Sequence, residues 1–160
     1  MKIVIATVSF LLLATAAFAD AQSEISAYRK TYGLSAVTVD PKLTELASKQ
    51  ANAMAERGAV DHSVYAPFQS RMASYGALSA AENIAMGTKT FQDTLAAWKA
   101  SPGHNANLLL PSATRIGVAS ASSHGISYWS LILAAPTDPN SRRVDVLSIF
   151  PFVMLMRISP

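Results

Sequence analysis

Two stretches in the middle of the chain are the most informative about its fold: residues 81–87 are AENIAMG and residues 97–109 are AWKASPGHNANLL. In the first stretch Glu82 stands among small apolar residues. A carboxylate is costly to bury there unless it meets hydrogen-bond donors or a cation, so we expect such partners. In the second stretch Ser101-Pro102 has the pattern of a helix cap followed by a proline, which predicts a short helix carrying His104.

Helix boundary signals extend from this centre toward the amino terminus. Asp40-Pro41 predicts the start of a long helix, because an aspartate accepts free amide hydrogens and a proline at the first position loses no bond. The four helices predicted before residue 101 begin at about Ser23, Asp40-Pro41, Pro67 and Thr90, and the first three end near Gly33, Gly58 and Gly76. The predicted buried face of the long helix comprises Leu43, Leu46, Ala47, Gln50, Ala51 and Met54.

The pattern changes after Pro111, where the residues are typical of strands. Residues 115–120 and 126–133 predict two strands, and residues 122–125 predict the turn between them, so we expect an antiparallel hairpin. Helices first and strands later predict an α+β domain in which helices pack on a sheet. Trp98 and Trp129 are expected to be core aromatic residues.

Composition excludes several classes of protein. The 160 residues contain 13 Lys and Arg, 10 Asp and Glu, and no cysteine. Without cysteine there is no disulfide scaffold, thiol nucleophile or cysteine zinc site. A formal charge of +3 with no cluster of basic residues argues against a dedicated nucleic-acid binder, so nucleic acid is not an expected partner.

The first nineteen residues have the features of a cleavable signal peptide. Lys2 supplies the positive start, residues 3–13 are mostly apolar, and Ala17-Phe18-Ala19 has the small-x-small pattern of a cleavage site. The apolar run is short for a membrane span, which takes about 20 residues. We therefore expect a secreted or periplasmic protein that begins at Asp20 and has no transmembrane segment after cleavage.

The domain is predicted to cover residues 20–135, and residues 136–160 are predicted to be a connector and an apolar tail. The tail, Val146 to Met156, is too short to cross a bilayer as a helix, and Pro151 would break such a helix. An edge strand, a flap over an apolar groove, a partner-docking segment and a loosely packed end are all compatible with this composition.

The chain has three histidines, His62, His104 and His124. Two imidazoles that converge with a carboxylate make a plausible divalent-metal or acid–base site. His62, Glu82 and His104 are scattered along the chain and lack an HExxH pattern. Their spacing alone therefore favours a structural role for each histidine, as a helix cap or a donor to a backbone carbonyl. No Gly-x-Ser-x-Gly motif accompanies Ser101, which we expect to cap its helix, and a serine triad is therefore not predicted.

The two central stretches resemble the bacterial branch of the CAP superfamily, which comprises the cysteine-rich secretory, antigen 5 and pathogenesis-related 1 proteins and is also called SCP-like. Residues 116–119 and 128–134 resemble its closing strands, and the resemblance covers residues 25–135, nearly all of the predicted domain. It implies an α-β-α sandwich whose central cleft holds two histidines and two acidic residues.

The resemblance also implies which residues line that cleft. By their place in the motifs, His62 and His104 match the two histidines and Glu82 matches the first acidic residue, while Ser101 stands at the second acidic position. The implied site is therefore one for zinc or another divalent cation at His62, His104 and Glu82 that lacks one carboxylate. The same three residues would be the catalytic residues if the domain were an enzyme.

Three functions follow from the resemblance. The first is an exported, non-enzymatic binding module with a divalent-metal His/Glu cleft. The second is a protease-like hydrolase that depends on the metal or on the His/Glu set. The third is a lipid-binding protein, to which the apolar tail would be suited. The partner class implied is a lipid or another cell-envelope component.

Overall fold

The computed structural model of the protein describes residues 20–136, so the predicted signal peptide and nearly all of the predicted connector and tail lie outside the described residues. The helices are α1 (residues 20–30), α2 (Pro41–Arg57), α3 (Phe68–Tyr75), α4 (Phe91–Ala100) and α5 (Pro102–Leu108). The strands are β1 (Thr38–Val39), β2 (Ala77–Met86), β3 (Arg115–Ser123) and β4 (Ile126–Pro136). The fold is α+β, as the sequence predicts.

The four strands form one sheet in the order β1-β3-β4-β2. β1 is parallel to β3, whereas β4 pairs antiparallel with both β3 and β2. The predicted hairpin is confirmed, with a tighter turn than expected: His124 and Gly125 are its two central residues, at φ 51° and 77°. Positive φ at both positions suits the right-handed twist of the strands that they join.

Helices cover both faces of the sheet, which gives the α-β-α sandwich. Neighbouring residues of β4 point to opposite faces, as the pleat requires. Leu131 and Leu133 pack in a cluster with residues of α1, α4 and α5, while Ile132 and Ala134 pack in a second cluster with residues of α2 and α3. The core is thus two apolar layers that share the central strands.

The long helix α2 begins and ends where the sequence predicts, and its buried face is the predicted one. Asp40 accepts hydrogen bonds from the backbone amides of Lys42 and Leu43 at 2.9 and 3.0 Å, and Gly58 ends the helix in the left-handed conformation. The second carboxylate oxygen of Asp40 accepts from the Tyr75 hydroxyl at 2.9 Å, which joins the start of α2 to the end of α3. Burial, together with this bond to Asp40, raises the pKa of Tyr75 to about 12.

Two expectations about the amino-terminal half were incomplete or wrong. Ser23 does not cap α1, because residues 20–22 already belong to the helix: Ala21 is buried in the core and the Gln22 side chain accepts from the Val39 amide at 2.8 Å. The strand β2 was not predicted, because its alanine-rich sequence favours helix over strand as an isolated segment.

A buried arginine ties α1 to the segment that follows α5. The Arg29 guanidinium is fully buried and donates to the backbone carbonyls of Ser35, Leu108, Leu110 and Ala113 at 2.9–3.0 Å. Burial lowers the pKa of Arg29. Since these bonds fix the carboxyl-terminal end of α5, they help to set the position of the helix that carries His104.

Helix α2 crosses the sheet directly over Gly117 in β3. A Cβ atom at this position would overlap the backbone of Leu43 and Thr44, which cannot move without moving the helix. The absence of a side chain at Gly117 therefore sets how closely α2 approaches the sheet.

We expect Gly117→Ala to lower the free energy of unfolding by about 3 kcal/mol, because the overlap is with backbone atoms that have no alternative rotamer. Urea unfolding followed by tryptophan fluorescence measures this change. Ser120→Ala is the matched control, since Ser120 is exposed on the same strand and its change is expected to stay within about 0.5 kcal/mol. Equal stability of the two variants would contradict the close approach of α2.

Candidate functional site

The centre of the candidate site is the side chain of Glu82, which is 4% exposed in the middle of β2. The guanidinium of Arg71, from α3, binds it in a bidentate manner: Nη1 donates to Oε1 at 2.8 Å and Nη2 donates to Oε2 at 2.9 Å. Arg71 is itself 3% exposed. The expectation that a buried Glu82 meets hydrogen-bond donors or a cation is therefore confirmed.

Two further donors complete the surroundings of the Glu82 carboxylate. Nδ1 of His62 lies 2.8 Å from Oε2, and the hydroxyl of Ser130 in β4 donates to Oε1 at 3.2 Å. Because a carboxylate paired with a guanidinium only accepts, Nδ1 of His62 donates this bond. Each oxygen of Glu82 thus has two donors.

The same arginine also holds the loop that carries His62. Arg71 donates through Nε to the carbonyl of Ala66 at 3.0 Å and through Nη2 to the carbonyl of His62 at 2.8 Å. From the other side Gln50 of α2 donates to the carbonyl of Asp61 at 2.6 Å. These bonds hold His62 in a defined position beside Glu82.

His104 lies on α5 and is 5% exposed. Its Nδ1 is 2.9 Å from the hydroxyl of Ser101. The expectation that the Ser101 side chain caps α5 is therefore wrong, although Ser101 occupies the N-cap position. The reason is that its backbone joins two helices, as the end of α4 and the start of α5, while its hydroxyl is turned toward the imidazole one helical turn ahead.

Two asparagine side chains fasten α5 to the strand that carries Glu82. Asn83, which is fully buried, donates to the backbone carbonyl of His104 at 3.0 Å. Asn107 donates to the backbone carbonyl of Glu82 at 3.1 Å and to the side-chain oxygen of Asn83 at 2.9 Å. The backbone of His104 is thus tied directly to β2.

The structure brings His62 and Glu82 into contact, and Asn83 and Asn107 tie the backbone of His104 to the strand that carries Glu82. Burial, and to a lesser degree the nearby charge of His62, lower the pKa of His104 below its ordinary value. Both histidines have Nδ1 engaged, by Glu82 and by Ser101, and neither Nε2 has a hydrogen-bond partner among residues 20–136. His124 is separate from this group and lies exposed in the β3–β4 turn beside Ser123.

The two tryptophans are packing residues in this structure. Trp98 is fully buried in the cluster under α4, as predicted. Trp129 is half-buried against that cluster, near Phe91, and donates to the Thr88 carbonyl at 3.0 Å.

Sequence analysis missed the side chains that organise the site, namely Arg71, Asn83, Asn107 and Ser130. One signal pointed to Arg71: on the short helix α3 it is one turn after Phe68 and next to Met72, so it is a charged residue on the buried face. The partner expected for Glu82 is this arginine. Sequence patterns do not connect the two residues, because their contact depends on how α3 packs against β2.

Comparison with known proteins identifies the family. The family model described as the cysteine-rich secretory protein family, CAP, matches residues 22–133. The chain belongs to the CAP family. It is 36% identical over 98 residues to the uncharacterized protein YkwD of Bacillus subtilis, a match that covers 58% of this chain and 38% of that protein. This CAP chain therefore spans well under half the length of that relative.

Solved structures share the fold of this CAP chain. An outer surface protein of Borrelia burgdorferi has a TM-score of 0.65 and 22% identity, covering 86% of this chain and all of the other. An extracellular SCP-domain protein of Bacillus anthracis has a TM-score of 0.66 and 19% identity, covering 75% of this chain and 40% of the other. Within residues 20–136 the CAP chain has no helix that is long and apolar enough to cross a membrane.

We expect Arg71→Met to lower the free energy of unfolding by about 3–5 kcal/mol, because it leaves the buried Glu82 carboxylate without its cation. The double variant Arg71→Met/Glu82→Met should recover more than half of that loss, since it removes both charges. Urea unfolding of the two single variants and the double variant measures the coupling. Arg115→Met, at a half-buried arginine whose side chain bonds Thr38 and a backbone carbonyl, is the control and should cost about 1 kcal/mol or less. A double variant as unstable as the sum of the single variants would contradict the pairing.

We also expect His104 to make the domain less stable in mild acid. Because its folded-state pKa is lowered, the unfolded chain takes up a proton more readily, and stability falls as the pH drops below about 6.5, the unfolded value. Above that pH His104 is neutral in both the folded and the unfolded chain, and its titration no longer lowers the stability. The free energy of unfolding at pH 7.5 and pH 5.5 should differ less in His104→Gln than in the wild type. The exposed His124→Gln should keep the wild-type difference, and the same reduction in both variants would refute the assignment to His104.

Proposed function

We propose that the protein is an exported binding module, and not an enzyme, whose His/Glu site recognises a polar group of a cell-envelope component through His62 and His104. The observation that carries this proposal is the hydrogen bonding of Glu82, the carboxylate at the centre of the site. Arg71, His62 and Ser130 supply two donors to each of its oxygens.

A carboxylate in that state is poorly suited to be a general base. A base must approach the proton that it removes and must have a lone pair free to take it. Glu82 is 4% exposed, and its oxygens accept bonds from a guanidinium that cannot release a proton in exchange. Its role in the binding module is to orient His62.

Ser101 and His104 are not part of a nucleophile–base–carboxylate triad. In such a chain the carboxylate orients the same imidazole that activates the nucleophile. Here the carboxylate of Glu82 binds His62, whereas the hydroxyl of Ser101 binds His104. The carboxylate and the hydroxyl therefore contact different imidazoles, an arrangement that favours a binding function over acyl transfer.

The two Nε2 atoms are the groups that we assign to ligand recognition. Each belongs to a ring whose Nδ1 is already engaged and whose orientation is therefore set. Because the pKa of His104 is lowered, its ring is neutral at pH 7 and can accept or donate one hydrogen bond at Nε2, depending on the tautomer. A few oriented polar groups of this kind give a binding site its specificity.

A divalent cation such as zinc was implied by the family resemblance, and the residues present fit it only in part. The two Nε2 atoms are suitable zinc ligands, with Glu82 behind His62 as the outer partner. Residues 20–136 contain no group of three or more His, Cys, Asp or Glu side chains arranged to hold a metal ion. Zinc sites in proteins have three or four protein ligands, and the two imidazoles alone fall short of that set. Zinc binding at all three predicted residues stays an untested prediction, and the bonded state of the Glu82 carboxylate argues against it.

A hydrolase is the alternative favoured by one contact. His62 receives its orientation from a carboxylate 2.8 Å away, as a general base does in acyl-transfer enzymes. In that case the free Nε2 of His62 would activate a water molecule. Turnover of casein or of an ester panel that disappears in His62→Gln would support this alternative against the binding module.

Export is supported by the predicted signal peptide and by the names of the two structural relatives, one extracellular and one an outer surface protein. The buried residues Ala21 and Ile25 lie after the predicted cleavage site, so cleavage after Ala19 would leave their core contacts intact. The mass of the protein recovered outside the cytoplasm should correspond to a chain that begins at Asp20.

The binding module is tested by imidazole NMR of the folded domain. Soluble peptidoglycan fragments and, separately, phosphatidylglycerol vesicles are titrated into protein labelled with ¹⁵N at histidine. We expect one of the two to shift or broaden the Nε2 signals of His62 and His104 and to leave His124, the internal control, unchanged.

The same titrations with His62→Gln and His104→Gln should weaken the interaction at least about tenfold, a loss of the size expected for removing a hydrogen-bonding group from a binding site. Unmoved signals with both ligands, or a shift at His124 equal to that at the cleft, would overturn the proposal.

A further inference from the structure

We propose that Arg71 takes the place of a metal ion in this cleft: its guanidinium is the built-in cation of the His/Glu site, and it keeps Glu82 from serving as a metal ligand. The inference concerns the metal dependence of the site, so it stands whether or not the cleft binds an envelope component.

Geometry gives the first step. A metal ion bound by Glu82 would need at least one carboxylate oxygen with a lone pair directed at it. Both oxygens instead receive the two parallel bonds of the Arg71 fork at 2.8 and 2.9 Å, the strongest arrangement available to an arginine and a carboxylate. Ser130 and His62 take the remaining positions at Oε1 and Oε2.

Arg71 is not free to move aside. Its Nε and Nη2 atoms also donate to the carbonyls of Ala66 and His62, and its guanidinium lies 5.2 Å from the ring centre of Phe68. Displacing it from Glu82 would break the bonds that hold the His62 loop and would leave a buried guanidinium without its counter-ion, which is strongly unfavourable.

Charge gives the second step. The guanidinium of Arg71 and the carboxylate of Glu82 sum to zero, and a doubly charged ion beside them would add an uncompensated charge of +2 in a buried region. The next acidic side chain along the loop, Asp61, is engaged elsewhere, since its Oδ1 accepts from the amide and hydroxyl of Ser63 at 2.7 Å. While Arg71 is present, the Arg71–Glu82 pair therefore offers a metal ion no net negative charge.

The same balance explains Ser101, where the family resemblance implies a second acidic residue. A carboxylate there would add one negative charge beside His104 to an Arg71–Glu82 pair that is already neutral. The hydroxyl of Ser101 satisfies Nδ1 of His104 at 2.9 Å without adding charge. The site thus has an arginine where a metal ion would supply positive charge and a serine where the family resemblance implies a carboxylate. Together these two residues leave the site without net charge.

The test compares zinc responses of the whole mature protein. In the wild type we expect the melting temperature to be the same in chelator and in zinc chloride, and the ¹³C signal of the Glu82 carboxylate to stay unchanged throughout a zinc titration. Shifts confined to the His62 and His104 imidazoles would agree with the proposal, because they leave Glu82 with Arg71. Movement of the Glu82 carboxylate signal together with loss of the Arg71 Nε–H signal would overturn it.

The decisive variant is Arg71→Ala, which releases Glu82 and makes room beside it. We expect zinc to raise the melting temperature of Arg71→Ala and not that of the double variant Arg71→Ala/Glu82→Gln. Arg71→Lys is the matched control, since it keeps the positive charge and should show no zinc response. A response as large in Arg71→Lys as in Arg71→Ala would refute the charge argument. If Arg71→Ala does not fold with or without zinc, the wild-type Glu82 signal decides the question alone.

Discussion

A buried carboxylate is the constraint on which the site depends. Removing an ionised side chain from water is unfavourable by several kcal/mol, so Glu82 can occupy the middle of β2 only if the surrounding elements bring donors to it. They come from three places in the fold: Arg71 from α3, His62 from the loop before that helix, and Ser130 from the neighbouring strand β4. Satisfying one side chain thus sets the relative positions of a helix, a loop and two strands.

The position of the second imidazole, that of His104, depends on the same strand through hydrogen bonds between uncharged groups. Asn83 and Asn107 join α5 to β2 next to Glu82, while Arg29 holds the far end of α5 from α1. His104 is therefore placed by backbone contacts and not by a bond to the carboxylate. This division separates the two histidines chemically: one is oriented by a charged partner, the other by a hydroxyl, and the proposed binding function uses the nitrogen that each leaves available.

Local chemistry was sufficient for much of the fold. Helix α2 begins at Asp40-Pro41 and ends at Gly58 as predicted, because helix caps and left-handed helix ends are determined by residues within one turn. The β3–β4 hairpin was predicted for the same reason. Predictions failed where a distant contact outweighed the local preference. The alanines of β2 form a strand because β4 offers a partner, residues 20–22 are helical partly because of core contacts, and the hydroxyl of Ser101 binds His104.

Residue patterns were enough to predict the α+β class, most element boundaries, and the requirement that a carboxylate among small apolar residues must meet a cation or other donors. It also carried the motifs by which the chain resembles the CAP family and by which His62, Glu82 and His104 were grouped. The identity of the cation that Glu82 meets was visible only in the folded chain, because the direction of a guanidinium on α3 depends on how that helix packs on the sheet. Packing joins residues that no spacing rule connects, so the partnership of Arg71 with Glu82 emerged only once the layers were assembled.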